Sequence, residues 1–408
     1  MIVAKYSWRS VYSLHLRQRV NSPSMIRIIG AMFRALAVVI GFLSVAGCSP
    51  REPDVPPDLF YLFATYPVGK NPTSVATADF NQDGFTDLIT TNISDDSLSL
   101  LFGNGDGTFR AHVRLSVSKE PRSLALNDYN GDGLTDLAVA CSGSDQIALF
   151  FGNANGSFGR GQKYNVYRSP ISVTSGDLNG DHKPDLIAAL RNDKIAVFLG
   201  NGDGSFTRGP QYEYGDTPTS VALADLNRDG HLDLAVSNGG PMSSAVSIWI
   251  GNGDGSFREP TDYRTGKRPL AVTFADFNND GITDLLVING QKDSFTTFLG
   301  NGDGTFQAGT DSGADAGPVH GLAGDFNGDR LADVAIVNIQ SHNLSIVYGR
   351  GDGTFAYPPK NYRVKRGPFY IAPLHLRTGA TEEPGLVTAN NGASSISVFL
   401  HRGLKSRT

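Results

Sequence analysis

The sequence has little cysteine, and its N-terminal apolar segment is too short to cross a bilayer. Only Cys48 and Cys141 occur in 408 residues, which excludes the disulfide framework that stabilises many small exported domains. The segment from Ala35 to Val45 has 11 residues, whereas a transmembrane helix needs about 20. Stability must therefore come from a packed core and from bound metal.

Motifs of common enzyme classes are also missing. The histidines show neither the H-x-x-H nor the H-E-x-x-H spacing of zinc enzymes, and no G-x-S-x-G elbow is present. The G-x-G-x-G segments lie in hairpin turns rather than before helices, so they do not indicate nucleotide binding. We predict that the protein is not an enzyme. An active site assembled across repeats, as in a polysaccharide lyase or hydrolase, is the alternative.

The first 48 residues indicate export. Arg27 and Arg34 flank the short apolar core, and Val45-Ala46-Gly47-Cys48 resembles the lipobox of bacterial lipoproteins. We predict a lipoprotein signal over residues 1–48 with a lipidated Cys48, and Ser49 after it favours the outer membrane. An ordinary signal peptide with an incidental cysteine is the alternative. Residues 49–59 form a proline-rich tether.

The balance of charge is acidic beyond the signal. Residues 1–48 hold six of the 35 Lys and Arg and no acidic residue, which leaves 29 basic against 40 acidic residues and a net charge of −11. Six bound Ca²⁺ would largely cancel this charge. We expect no nucleic-acid partner, because an exported protein of this balance lacks a basic footprint.

A nine-residue D-x-N-x-D-G-x-x-D segment begins at Asp79 and recurs five times at intervals of 49, 49, 48, 51 and 49 residues. A fixed period near 50 residues indicates a repeat fold. Each copy places oxygen side chains at positions 1, 3, 5 and 9, and a hard cation such as Ca²⁺ prefers oxygen ligands. The predicted metal ligands are Asp79, Asn81, Asp83, Asp87, Asp128, Asn130, Asp132, Asp136, Asp177, Asn179, Asp181, Asp185, Asp225, Asn227, Asp229, Asp233, Asp276, Asn278, Asp280, Asp284, Asp325, Asn327, Asp329 and Asp333.

The residue at position 6 of each loop predicts which sites bind calcium more weakly. Four copies have glycine there, where a sharp turn often requires a positive φ. His182 and Arg330 occupy it in copies three and six, so we predict up to six calcium ions, with weaker binding at the sites that begin at Asp177 and Asp325. A seventh unit has lost the acids and has His375 in the corresponding segment. The alternative is that all these segments are plain Asx turns.

Each unit contains four short apolar runs bounded by Asn, Asp and Gly, which are strand signals. In the fifth unit, Leu270–Ala275 precedes the acidic loop, Leu285–Ile288 follows it, and Gly300–Gly304 is a hairpin turn. Seven such units predict an all-β fold, a seven-bladed β-propeller of four-stranded blades over residues 60–402. The segment Leu62–Tyr66 matches a fourth strand, so we expect the N-terminal strand to close the last blade. Residues 403–408 are a short tail.

The recurring Phe-Gly pairs, such as Phe102-Gly103 and Phe151-Gly152, together with the acidic loops resemble the FG-GAP (VCBS-type) repeats of the integrin α-subunit propeller and of many bacterial surface proteins. The resemblance covers nearly all of the chain beyond the signal. It implies a propeller with calcium in the loops between strands 1 and 2. It also implies that ligands meet the opposite face, through the 2–3 and 4–1 loops.

Basic residues cluster just before the first strand of several units, in the 4–1 loops. They are Lys70, Lys119, Arg122, Arg168, Lys267, Arg268, Lys365 and Arg366. The 2–3 turns add Asn92, Asn238, Asn289, Asn338 and Asn390. One interpretation is a solvated rim in which Asn forms turns. The sharper hypothesis is a funnel for an anionic ligand, either an acidic polysaccharide or a carboxylate-bearing protein loop.

These features predict a monomeric, calcium-stabilised propeller, anchored by lipid to the cell envelope, that binds a protein or glycan in adhesion or recognition. A scaffold within an envelope complex is a second alternative beside the enzyme. Arg350-Gly351-Asp352 spells an adhesive tripeptide, but it occupies an ordinary glycine turn with Arg350 where other copies have Asn. We interpret it as a drifted turn residue.

Overall fold

The computed structural model describes residues 58–213, 215–378 and 381–402. The predicted signal, lipidated Cys48, almost all of the tether and the tail lie outside these residues. Within them, none of the helices is long and apolar enough to cross a membrane; the helical elements there are two 3-10 turns, Ser142–Ser144 and Asn391–Ala393.

The described chain is built from short strands in seven groups. The N-terminal strand is β1 (Phe60–Pro67). Blade 1 contains β2 (Pro72–Ala78), β3 (Asp87–Asn92), β4 (Ser97–Leu101) and β5 (Val113–Ser116). Blade 2 contains β6 (Pro121–Asn127), β7 (Asp136–Cys141), β8 (Gln146–Gly152) and β9 (Phe158–Asn165). Blade 3 contains β10 (Pro170–Gly176), β11 (Asp185–Leu190), β12 (Lys194–Gly200) and β13 (Phe206–Glu213). Blade 4 contains β14 (Pro218–Ala224), β15 (Asp233–Asn238), β16 (Ala245–Trp249) and β17 (Thr261–Arg264).

The remaining strands form three further blades. Blade 5 contains β18 (Pro269–Ala275), β19 (Asp284–Asn289), β20 (Ser294–Phe298) and β21 (Thr310–Gly313). Blade 6 contains β22 (Pro318–Gly324), β23 (Asp333–Asn338), β24 (Asn343–Val347) and β25 (Lys360–Arg363). Blade 7 contains β26 (Pro368–Thr378), β27 (Thr381–Asn390) and β28 (Ser395–His401).

The predicted fold is confirmed: the strands form seven four-stranded antiparallel sheets. In six blades the strands pair in sequence order. In blade 7 the order is β26-β27-β28-β1, so the N-terminal strand supplies the outer strand. Its register runs from Phe60 opposite His401 to Pro67 opposite Ser395. The ring is therefore closed by joining the two ends of the same domain, as the sequence predicts.

The core lies between blades rather than inside each one. The second strands are continuous apolar runs because both faces of each sheet pack against a neighbour; all six residues of β3 and of β19 are buried, for example. Seven hydrophobic clusters result, and each combines side chains of two adjacent blades. Cys141 is one of these buried side chains, and burial raises its pKa to about 12.

A polar bond crosses five of the blade junctions, and the sequence did not predict it. A tyrosine on an outer strand accepts a hydrogen bond from the backbone N–H of a phenylalanine in the next blade. Tyr164 Oη accepts from Phe206 N at 2.8 Å, and Tyr212 Oη accepts from Phe257 N at 2.7 Å. The other three pairs are Tyr66 with Phe109, Tyr263 with Phe306 and Tyr362 with Phe60. The two junctions of the closing blade, formed by Tyr362 with Phe60 and by Tyr66 with Phe109, are among these five.

The antiparallel topology separates the loops onto two faces. The acidic 1–2 loops and the glycine-rich 3–4 turns lie at one end of each blade. The 2–3 turns and 4–1 loops lie at the other end and form what we call the rim. Backbone hydrogen bonds join the two kinds of rim loop, as in Ser94 N to Lys70 O at 3.2 Å and Gly290 N to Arg268 O at 2.9 Å.

Candidate functional site

Three of the four predicted ligands in each acidic loop converge over a single turn. In the fifth copy, the Asp280 N–H donates both to Asp276 Oδ1 and to Asn278 Oδ1, each at 3.2 Å. The Gly281 N–H donates to Asp276 Oδ2 at 2.8 Å, and Asn278 Nδ2 donates to Asp280 Oδ2 at 2.7 Å. Positions 1, 3 and 5 are therefore brought together by the backbone of the turn.

The aspartate at position 9 has a different environment. Asp284 is fully buried; its Oδ2 accepts from Phe277 N and its Oδ1 accepts from Gly300 N, both at 2.8 Å. All six copies repeat this pair of bonds. The carboxylate thus fastens the acidic loop to the glycine turn of the same blade.

Burial raises the pKa of these position-9 carboxyl groups, and the backbone N–H donors partly oppose the shift. The pKa reaches about 6 for Asp87 and Asp136 and about 7 for Asp333. The aspartates at positions 1 and 5 of the same loops add to the rise through charge repulsion. Bringing a cation to the loop would lower that repulsion.

The donor chemistry of positions 1, 3 and 5 suits calcium. Two carboxylates and one amide per loop are oxygen ligands of the type that Ca²⁺ takes, and backbone carbonyls and waters commonly complete its coordination. Among the described residues, however, no group of three or more His, Cys, Asp and Glu side chains is arranged to hold a metal ion. The turn brings positions 1, 3 and 5 together as the residues that would hold calcium. The role of the position-9 aspartate as a fourth ligand stays a prediction, since both of its carboxylate oxygens accept backbone N–H bonds.

The backbone of the loop needs positive φ at two positions, of which the sequence revealed one. Position 6 has positive φ in every copy, including His182 at 60° and Arg330 at 68°. Position 4 is also positive throughout: Gly180 and Gly328 occupy it in copies three and six, whereas Gln82, Arg228 and Asn279 occupy it in copies one, four and five. Each of these five copies therefore carries one strained non-glycine residue, and copy two has glycine at both positions.

Copies three and six are therefore no more strained than copies one, four and five. The predicted weakness of the sites at Asp177 and Asp325 stays a prediction. On backbone strain alone, the loop that begins at Asp128 is the least strained of the six, because Gly131 and Gly133 provide both turns.

Calcium is expected to raise the unfolding midpoint of the purified protein. A site filled at ten times its dissociation constant contributes about 1.4 kcal/mol, and extracellular calcium modules bind at about 10⁻⁴–10⁻³ M. Differential scanning calorimetry in millimolar calcium, in millimolar magnesium and in chelator would measure the effect. Identical transitions in all three buffers would contradict the calcium sites.

The eight predicted basic residues lie at the rim, as expected from their place in the 4–1 loops. Seven are exposed, and none of the eight forms an ion pair within the described residues. Arg122 differs: it is half-buried, its Nε donates to Ser142 Oγ at 2.8 Å, and burial with nearby Arg191 lowers its pKa. Arg122 therefore serves the packing of blade 2.

Acidic residues share the same rim. Aspartates of the 2–3 turns cap the 4–1 loops, as in Lys70 N to Asp95 Oδ2 at 3.1 Å and Thr217 N to Asp193 Oδ1 at 2.7 Å. In the rim loops of blades 1–4, basic and acidic residues occur in similar numbers. The basic residues are Lys70, Lys119, Arg122, Arg168 and Arg191, and the acidic residues are Asp95, Asp96, Glu120, Asp145, Asp193 and Asp216. Blades 5–7 have the basic Lys267, Arg268, Lys292, Lys365 and Arg366 against the acidic Asp293 and Asp315.

The positive charge therefore forms an arc over blades 5–7 rather than a full ring. Asp315 within this arc is already engaged, because its Oδ2 accepts from Asn343 Nδ2 at 2.5 Å and from Asn361 Nδ2 at 3.2 Å. We refer to the rim of blades 5–7 as the cationic arc.

The five asparagines do not line a mouth, contrary to the expectation that they would add to the funnel. All are buried at the end of second strands. Asn289 Nδ2, for example, donates to Ser294 Oγ at 3.2 Å and to Thr296 Oγ1 at 2.8 Å on the third strand. Their amides lie against the entering loop, since a side chain at Gly266 would meet Asn289 Cγ at 2.6 Å. They join strands and support the rim from inside.

Arg350-Gly351-Asp352 adopts the ordinary glycine turn. Arg350 N donates to Thr354 O at 3.0 Å, and Asp352 Oδ1 accepts from the N–H of Thr354 at 2.9 Å and from its hydroxyl at 2.6 Å. Asp106 makes the same pair of bonds with Thr108. The tripeptide thus has the conformation of the other copies.

Two models of known repeat families match this sequence. The model of the FG-GAP-like repeat matches residues 79–139, 128–188, 177–236, 237–287 and 276–336, and the model of the FG-GAP repeat matches residues 217–256. Among curated proteins, none matches this sequence.

Solved structures share the fold at low sequence identity. BBS1N, crystallised in complex with ARL6DN and soaked with lead, is 12% identical with a TM-score of 0.60, over 84% of this chain and 97% of that one. A streptogramin B lyase is 16% identical with a TM-score of 0.57, over 84% and 98%. A protein from Lactobacillus plantarum is 14% identical with a TM-score of 0.53, over 78% and 88%. At these identities the likeness is one of fold alone.

Proposed function

The chain belongs to the FG-GAP-like repeat family, and we propose on this basis that it is a calcium-stabilised, non-catalytic binding protein of the bacterial cell envelope. A closed propeller of such repeats suggests a ligand-binding or scaffold role. The finer proposal is recognition of an anionic ligand, an acidic glycan or a carboxylate-bearing protein loop, through the rim.

The cationic arc is the observation that carries this proposal. Lys267, Arg268, Lys365 and Arg366 are exposed and free of ion pairs within the described residues. Hydrogen bonds between the 2–3 turns and the 4–1 loops hold their backbone, as in Gln291 N to Lys267 O at 3.3 Å. Positive groups on a pre-formed rim attract anions and lose little further conformational freedom on binding.

The proposed anchor is a lipid on Cys48, with the propeller held off the outer membrane by residues 49–59. The support is the sequence Val45-Ala46-Gly47-Cys48 after a short apolar core. Mass spectrometry of the mature N-terminus would show a diacylglyceryl group on Cys48, and an unmodified N-terminus elsewhere would contradict the anchor.

Charge reversal tests the rim. We expect the variant Lys267→Glu, Arg268→Glu, Lys365→Glu and Arg366→Glu to lose at least tenfold in affinity for acidic glycans in a glycan-array screen with calcium present. Raised salt should weaken wild-type binding in the same direction, because exposed charges are screened. The matched control reverses four exposed basic residues away from the rim loops, Arg110, Arg160, Lys163 and Arg258.

Unchanged binding in the rim variant would contradict the proposal. Cleavage of a bound polymer would instead identify the protein as a carbohydrate-active enzyme. If no glycan binds, a pull-down from envelope extract with the same two variants distinguishes the remaining possibilities. A protein lost only with the rim variant is the carboxylate-bearing ligand, whereas fixed-stoichiometry partners retained by both variants indicate a scaffold.

A further inference from the structure

A cavity of about 350 Å³ opens along the inner strands of blades 5, 6, 7 and 1. Thr77, Thr273, His320 and the aliphatic Val272, Leu322 and Ile371 are among the residues that line it. Each inner strand is terminal in its sheet, so part of its backbone N–H and C=O groups is left for other partners. The volume falls within the range of small-molecule sites.

At one position of the inner strands, the residues that line the cavity differ from those of the other blades. The third residue of the inner strand is serine in blades 1–4, namely Ser74, Ser123, Ser172 and Ser220. Blade 5 has Ala271, whereas blades 6 and 7 have His320 and Tyr370, whose rings stack with centroids 3.8 Å apart at 28°. The third position of the inner strand therefore holds a small residue in blades 1–5, but two large polar rings that lie together at the cavity in blades 6 and 7.

His320 has unused hydrogen-bonding capacity in this stack. Its Nδ1 is buried and has no hydrogen-bond partner among the described residues. Burial lowers the pKa of His320 to about 3, so the ring is neutral and has one donor and one acceptor nitrogen. A buried polar atom without a partner is costly, so the ring gains a hydrogen bond if it turns Nδ1 towards a ligand hydroxyl held in the cavity.

The same blades carry the cationic arc. His320 lies two residues from Pro318, where its inner strand leaves the rim, which is about 7 Å at ~3.3 Å per residue. A six-membered sugar ring with a carboxylate substituent has this reach. Its ring offers hydroxyls to polar groups and an apolar face to aliphatic ones, as the cavity wall requires.

We propose that the cavity mouth at blades 5–7 binds the end unit of an acidic glycan, a uronic-acid sugar. The ring enters beside His320 and Tyr370, and the carboxylate meets the cationic arc. This inference rests on the proposed function, since it specifies which acidic ligand the rim takes and where its end lies.

Ligand-observed NMR titration of the whole protein in calcium tests it with galacturonate and glucuronate, and with galactose and glucose as uncharged controls. Replacing His320 by the residue of blades 1–4, His320→Ser, is expected to weaken binding of a uronic acid at least tenfold. His112→Ser, at a partly exposed histidine just before β5 and outside both the rim and the acidic loops, should leave it unchanged. The Lys267→Glu, Arg268→Glu variant should bind the uronic acids more weakly, whereas its binding of the uncharged sugars should be unchanged.

Polygalacturonate, measured in parallel, separates the two proposals. Polymer binding that depends on the arc, with no binding of either uronic acid or with His320→Ser unchanged, overturns the cavity site and leaves the proposed function standing. Failure of both the polymer and the uronic acids overturns this inference together with acidic-glycan recognition. In the 15N-histidine-labelled wild-type protein, a shift of the His320 ring signals on adding the uronic acid, with the other histidine signals unmoved, supports the site directly.

Discussion

Phe60→Ala is expected to destabilise the propeller by about 3–5 kcal/mol, the usual effect of removing a buried aromatic ring. Phe60 is 1% exposed, and its ring meets Phe326, Tyr362 and His401 edge to face at centroid distances of 5.2–6.2 Å. It sits in the hydrophobic cluster between blades 6 and 7. The loss therefore falls on the junction where the ring closes.

The control lies on the same strand. Leu62 is 42% exposed, so Leu62→Ala should change the free energy of unfolding by no more than about 0.5 kcal/mol. Urea denaturation in saturating calcium, followed by fluorescence and far-UV circular dichroism, would measure both variants. Equal and small effects would mean that β1 contributes little to closure.

Asp284→Ala is expected to cost about 2–4 kcal/mol even in chelator, because it leaves two backbone N–H groups without acceptors. Those groups belong to Phe277 and Gly300, which tie the acidic loop and the glycine turn to the same carboxylate. The residue is fully buried, so water does not readily replace the lost acceptor.

Asp280→Ala is the matched variant in the same loop. Its side chain is exposed, and its carboxylate accepts from Ile282 N at 2.7 Å and from Asn278 Nδ2 at 2.7 Å. In chelator it should lower stability much less than Asp284→Ala does, whereas in calcium it should remove about one site's share of the stabilisation. If both variants lost the same amount of stability, and only in calcium, position 9 would act as a ligand rather than as a structural clamp.

The sequence predicted the architecture because the relevant signals are local and repeated. Asn- and Gly-rich turns recur at one period, and apolar runs of strand length separate them. The match of Leu62–Tyr66 to a fourth strand followed from the same pattern and located the closure. Positive φ at position 6 was predicted because four of six copies have glycine there, and the structure confirms it.

What the sequence did not reveal depends on contacts between blades or on burial. Tyr164 belongs to blade 2 and Phe206 to blade 3, so the pattern inside one repeat does not show their bond. Asn289 is of a residue type that is common in surface turns, yet it is 0% exposed. The 4–1 loop can pack directly on its amide because Gly266 has no side chain there. Likewise, nothing in the spacing of the acids separates the buried Asp284 from the half-buried Asp276 and the exposed Asp280; only the packing of its loop against the glycine turn does.

The closing strand also sets an order of events during synthesis. Thr65 and Ser397, which face each other across β1 and β28, are 332 residues apart in the chain. At about 5–20 residues per second, the ribosome adds that stretch over tens of seconds. The first strand to be made is thus the last to find its partner, and a nascent chain with six blades in place still exposes an unpaired edge.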